Sequence, residues 1–213
     1  MKVNLIDISR ILSPDIAVWP GDTPFSLQSI MARQSGESVN LTTITMSAHT
    51  GTHVDAPTHF SDNGPSMEEV DLRPYWGLAQ VVGISKAIGS LSPKDFAQYD
   101  LTCAPRLLVR TPIGKISNTQ FPEDIPHPSP ELADHLGNLG ICLYGTDAPS
   151  MDDINSLTLP GHNAMLRNKI AILEGLDLSQ APDGLYEISA LPLKIKGGDG
   201  SPVRAVLRTI EDN

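Results

Sequence analysis

Apolar residues along this chain fall into short runs divided by glycine, proline and polar turns. Val3–Ile8 alternates apolar and polar positions, the period of a half-buried strand. Val39–Met46 is rich in Thr, Val and Ile, which favour a pleated surface. Leu78–Ile84, Leu107–Arg110, Ile141–Tyr144 and Ile170–Leu173 are compact apolar runs bounded by turn residues, and Leu185–Ile195 and Val203–Ile210 read the same way. Helix signals are fewer. Ser92-Pro93-Lys94-Asp95 puts Ser at the N-cap, Pro at the first helical position and an acid two residues later. Ser129-Pro130-Glu131 repeats that logic, with Gly137 or Gly140 as the stop, and His162–Lys169 predicts a third, short helix. The 18 prolines argue against long helices. The pattern predicts a mixed α/β fold, richer in strand than in helix, with the two interleaved. No linker is long enough to divide it, so residues 1–213 are expected to form one domain.

Composition narrows the class. Hydrophobic residues make up 40% and charged residues 19%, values of an ordinary globular protein rather than a disordered one. The net charge of −10 repels phosphate backbones and anionic membranes, so neither nucleic acid nor a membrane is expected as a partner. The start, MKVNLIDIS, carries no apolar run of signal-peptide length. Cys103 and Cys142 lack metal-type spacing and flank apolar runs, as buried free thiols do. A reducing cytoplasm fits, although two cysteines leave one disulfide open.

The segment that carries chemistry is Ala48-His49-Thr50-Gly51-Thr52-His53-Val54-Asp55-Ala56-Pro57-Thr58-His59-Phe60. Three of the six histidines fall within eleven residues. In an extended chain His49, His53, Asp55 and His59 would share one face. A helix is disfavoured by Gly51, the β-branched threonines and Pro57. The segment is therefore expected at the end of a strand, running into a loop. In a straight strand His49 and His53 would stand about 13 Å apart at ~3.3 Å per residue. Two imidazoles reaching one metal at about 2.0–2.1 Å need a bend, which Gly51 permits, and Pro57 stiffens the exit. Imidazole nitrogen and carboxylate oxygen without thiolate suit catalytic Zn²⁺, or Mn²⁺ or Fe²⁺.

Further ligands are expected downstream, between Pro160 and Gly175. Glu174 follows the apolar Ile-Ala-Ile-Leu run, where a carboxylate is costly unless paired or bound to a cation. His127, between two prolines, is expected in a surface loop, and His135 on an exposed helix face. Trp76 is expected to pack, and Asp147 to support the site or to form a turn.

His-Thr-Gly-Thr-His-Val-Asp-Ala-Pro-Thr-His-Phe (49–60) resembles the signature of the cyclase metal-hydrolase superfamily. Residues 19–25, 145–152, 171–175, 190–194 and 201–208 extend the likeness over nearly the whole chain. They favour the kynurenine formamidase branch. That resemblance implies a homodimer with the swivelling β/β/α fold and two Zn²⁺ ions per subunit. It implies His49, His53 and Asp55 on one ion, and Asp55, His162 and Glu174 on the other, with Glu174 contacting both. It implies His59 as proton donor and acceptor, and Trp19 against the aromatic ring of the substrate, N-formyl-L-kynurenine. The implied reaction yields L-kynurenine and formate through metal-activated water. Asn163 departs from the pattern, which often has a second His there, and is expected to alter only the surroundings of the ligands. The ligands alone do not separate this activity from hydrolysis of a cyclic amide such as isatin. A non-catalytic metal-binding protein is the alternative from another class, and His59 argues against it as a basic group beyond the ligand set.

Overall fold

The computed structural model describes residues 4–210. Among these, the strands are β1 (Leu5–Asp7), β2 (Ser26–Met31), β3 (Leu41–Thr45), β4 (His53–Asp55), β5 (Trp76–Gly83), β6 (Gly89–Leu91), β7 (Arg106–Arg110), β8 (Pro126–Pro128), β9 (Leu143–Thr146), β10 (Ala171–Glu174), β11 (Gly184–Ser189), β12 (Gly200–Pro202) and β13 (Val206–Thr209). The α-helices are α1 (Pro130–Asn138) and α2 (Pro160–Arg167). The mixed, strand-rich architecture expected from the pattern is the one observed.

Nine strands make one sheet in the order β1-β13-β11-β5-β7-β9-β10-β4-β12. Its centre, β5-β7-β9-β10, is parallel, and both flanks are antiparallel. The compact apolar runs belong to this centre because a parallel strand is covered on both faces. Alternate residues divide between two cores. Val81, Leu108, Leu143 and Leu173 join Val54, Ile188 and Leu207 on one face. Val82, Leu107, Val109, Tyr144 and Ile172 join Leu132 and Leu136 of α1 and Met165 of α2 on the other. β2 and β3 form a separate, exposed hairpin.

Several local expectations need correction. The run beginning at Val3 forms β1, although Val3 itself lies outside the described residues. The strand expected to reach Ile195 ends at Ser189, ahead of Pro192, whose nitrogen has no proton for the ladder. Ser92 and Asp95 do form a capping box, but they cap only a 3-10 turn at Pro93–Phe96. Phe96 and Leu101 both anchor in the core there, so the chain turns away. α2 starts at Pro160, earlier than expected. β2, β6, β8 and β12 were not anticipated. Three of these have three residues each, too few to show a period, and neighbouring strands hold them. His127 therefore lies on β8, half-buried, rather than in a surface loop. Trp76 is 58% exposed, its indole N–H donating to Glu187 at 3.1 Å, so it does not pack as expected. Cys103 is exposed and Cys142 half-buried, and both are free. His135 is exposed on α1, as expected.

Candidate metal centre

The centre assembles where β4 lies antiparallel to the end of β10. Their register sets His53 opposite Glu174 and Val54 opposite Leu173. The two-residue alternation therefore sends His53, Asp55 and Glu174 to one face and Val54 into the core. The predicted shared face holds for His53 and Asp55 alone. His49 lies in a turn before the strand, and His59 ends a single 3-10 turn at Pro57–His59. Gly51 makes the bend at φ +72°, a conformation that side-chain-bearing residues avoid. The four side chains converge nonetheless. The His49 ring centre is 5.0 Å from that of His53 and 4.1 Å from that of His59.

His162 arrives on α2. Its backbone N–H and that of Gly161 donate to Asp152, at 3.0 and 2.6 Å. Asp152 thus satisfies a helix N-terminus and also accepts from the His162 Nδ1–H at 2.6 Å. That bond leaves Nε2 facing Asp55 Oδ2 at 3.5 Å and Glu174 Oε1 at 3.7 Å. His53 is fixed likewise. Its Nδ1–H donates to the Gly51 carbonyl at 3.1 Å, and Nε2 faces Asp55 Oδ1 at 3.4 Å and Glu174 Oε2 at 3.3 Å. His49 Nδ1 lies 3.1 Å from Asp55 Oδ1. Asp55 is therefore shared by two groups of donors: His49, His53 and Asp55, and Asp55, His162 and Glu174.

The electrostatics describe a site built for positive charge. Burial pushes the His53 imidazole down, yet Asp55 and Glu174 carry it up to about 10. Burial opposes His162 as well, and Asp152 and Asp55 raise it to about 10. Burial pushes Asp55 up, but the three histidines hold it well below the ordinary carboxylate range. Asp55 Oδ2 and Glu174 Oε1 are nevertheless buried with no hydrogen-bond partner. Orphan carboxylate oxygens facing imidazole nitrogens are the arrangement a cation would complete. The donor set fits a divalent metal.

The centre opens into a cavity of about 320 Å³ whose walls include Trp19, Phe121, Arg10 and Asp147. Trp19 is 39% exposed and meets Phe121 edge-to-face at 5.3 Å. Asp147 is buried and accepts from the Thr111 backbone N–H and hydroxyl, each at 2.7 Å. Asn163 is exposed and donates to the carbonyls of Thr158 and Leu159, away from the ligand atoms. Sequence reasoning gave no role to Asp152, nor to Asp199, which lies beside His49 and His59. Asp199-Gly200 reads as an ordinary turn signal, and nothing local marks it as part of a site.

A family model described as putative cyclase matches residues 6–153. The chain belongs to the cyclase family. Among its relatives is the kynurenine formamidase of Bacillus anthracis, 42% identical over 205 residues, which cover 96% of this chain and 97% of that protein. The kynurenine formamidase of Salinibacter ruber is 44% identical over 209 residues, covering 98% and 99%. Isatin hydrolase A from Labrenzia aggregata superposes with a TM-score of 0.85 at 27% identity, covering 98% of this chain and 94% of that one. Cyclase membership and the donor clusters together support a metal cofactor.

Proposed function

We propose that this cyclase hydrolyses N-formyl-L-kynurenine to L-kynurenine and formate. The observation that carries the reading is the buried histidine–carboxylate cluster, opening into an aromatic-walled cavity, in a chain 42–44% identical to kynurenine formamidases. His49, His53 and Asp55 would hold one Zn²⁺ and Asp55, His162 and Glu174 a second, with Mn²⁺ the alternative ion. The two oxygens of Glu174 face different imidazoles, which suits a carboxylate contacting both ions. A bound divalent cation supplies Lewis acidity and brings the pKa of water towards neutrality.

The chain's own residues do the rest. Trp19 and Phe121 offer flat apolar faces to the aniline ring. Water oxygen bonds to the formyl carbon, the C–N bond breaks, and the aryl amine leaves with a proton. His59, outside both ligand groups that share Asp55 and partly exposed in the cavity, is the group that holds and delivers that proton.

Hydrolysis is assayed with purified protein, with and without chelator and added Zn²⁺, with isatin beside the formyl substrate. Turnover abolished by chelator and restored by Zn²⁺, with the formyl substrate preferred, is expected. Turnover of isatin alone would transfer the site to the second reading, which the likeness to isatin hydrolase A favours. The protein is further proposed to act in the cytoplasm as one domain per subunit of a homodimer. Leu27, Ile30, Leu41 and Ile44, exposed on the β2–β3 hairpin, form a surface for pairing. A monomer in sedimentation at micromolar concentration would remove the dimer.

A further inference from the structure

Three imidazoles flank Asp55, and each has one nitrogen turned towards its carboxylate and one turned away. The outward nitrogen of His53 is held by the Gly51 carbonyl, and that of His162 by Asp152. The outward nitrogen of His49, Nε2, faces Asp199 Oδ2 at 3.3 Å. The contact is an ion-pair approach rather than an aligned hydrogen bond, since Nε2 has no hydrogen-bond partner. The same oxygen lies 3.4 Å from His59 Nδ1, which does meet hydrogen-bond geometry. A carboxylate only accepts, so His59 carries its proton on Nδ1 and leaves Nε2 free in the neutral ring.

The backbone fixes this acid in place. The Asp199 carbonyl accepts from the Ala56 N–H at 2.8 Å, and Gly200 pairs with Asp55 across β12 and β4. A Cβ at Gly200 would fall 2.6 Å from His49 Cε1, so only glycine lets this turn close on the imidazole. Sequence separation conceals the contact, since Asp199 is 140 residues from His59.

We propose that Asp199 is a positioning residue shared by the two histidines, orienting His59 for proton delivery and steadying His49 as a metal ligand. Carboxylates behind metal-binding imidazoles set ring orientation and basicity. One oxygen serving both rings also ties the proton donor to the metal side of the site. The role at His59 rests on the proposed hydrolysis. The role at His49 does not.

The test uses Asp199→Ala, Asp199→Asn, His59→Ala and the His59→Ala/Asp199→Ala pair. Asp199 is half exposed, so its truncation leaves the core untouched. Zn²⁺ affinity is read by competition with a chromogenic chelator, without substrate. The expected result is about 10- to 100-fold weaker binding of one Zn²⁺ equivalent in Asp199→Ala, the range seen when such partners are lost. At saturating Zn²⁺, kcat for N-formyl-L-kynurenine is expected to fall about tenfold or more with KM little changed. Asp199→Asn, which keeps an acceptor oxygen, recovers part of the loss. In the His59→Ala background, Asp199→Ala adds little further loss of kcat. Multiplicative losses in the pair would overturn the link to His59. Unchanged Zn²⁺ affinity would overturn the link to His49. Outright disappearance of a third bound equivalent would make Asp199 a ligand instead, since His49, His59 and Asp199 could themselves surround an ion. A wild type that binds Zn²⁺ but hydrolyses no formyl substrate removes the reaction and leaves the Zn²⁺ comparison standing.

Discussion

Asp147 directly follows β9, and its buried carboxyl is pushed up to about 6 by burial, against the pull of two bonds from Thr111 and the charge of Arg10. A carboxyl raised in the folded state binds a proton that the unfolded chain has already released. Its contribution to stability therefore falls as pH rises from about 4 to about 6, and is level above that window. The full penalty is on the order of 3 kcal/mol by the conversion of pKa to free energy. Asp147→Asn keeps the shape without the charge. Its urea midpoint, compared with wild type in chelated protein at pH 4.5 and pH 7.5, is expected to gain on wild type at the higher pH. Parallel shifts of both proteins between these pH values would refute this account. The same residue shows what single positions reveal. Its sequence context left support of the site and turn formation both open; the fold commits its carboxylate to Thr111 and sets the residue on the cavity wall, away from the ligand atoms.

At the scale of elements, α2 depends on Asp152 more than on its own composition. Leu159, before its first turn, adopts a left-handed conformation (φ 45°) and offers no side-chain cap. Asp152 takes over the work of the cap from outside the helix. Asp152→Ala removes acceptors from two buried N–H groups and from His162 at once. A loss of about 1–3 kcal/mol in denaturant unfolding is expected, with Zn²⁺ affinity weakened about 10- to 100-fold. Wild-type values for both would show that α2 and His162 are held by packing alone. The helix was legible from its residues, though not its start, because the N-terminal partner comes from the preceding loop. β4 was legible as a short extended piece around His53 and Asp55. The turns that bring His49 and His59 beside it were visible only as the permission given by Gly51 and Pro57.

For the whole molecule, the sheet brings Asp55 of β4 and Glu174 of β10 together in the interior, each with one oxygen left without a hydrogen-bond partner that a cation would take up. Metal and fold are then linked. With Zn²⁺ at about 100 times its Kd, one site adds about 2.7 kcal/mol. A chain of this length gains about 2–4 °C per kcal/mol, so chelation is expected to lower Tm by about 5–10 °C, read by calorimetry. An unchanged Tm at the same Zn²⁺ excess would mean that the clusters bind no ion. No helix among the described residues is long and apolar enough to cross a membrane.

The sequence by itself determined the strand-rich composition of the fold, the apolar centre of the sheet and the His49–His59 cluster. Each of these is written locally, in a period, a propensity or a spacing of a few residues. It also marked Glu174 as an acid in an apolar setting. The tertiary structure alone decided that β10 lies against β4 with Glu174 opposite His53. It alone brought Asp152 behind His162 and Asp199 behind His49 and His59. Those contacts are side-chain bonds across strand pairings and loops, and a pairing between distant segments leaves no periodic trace in either one.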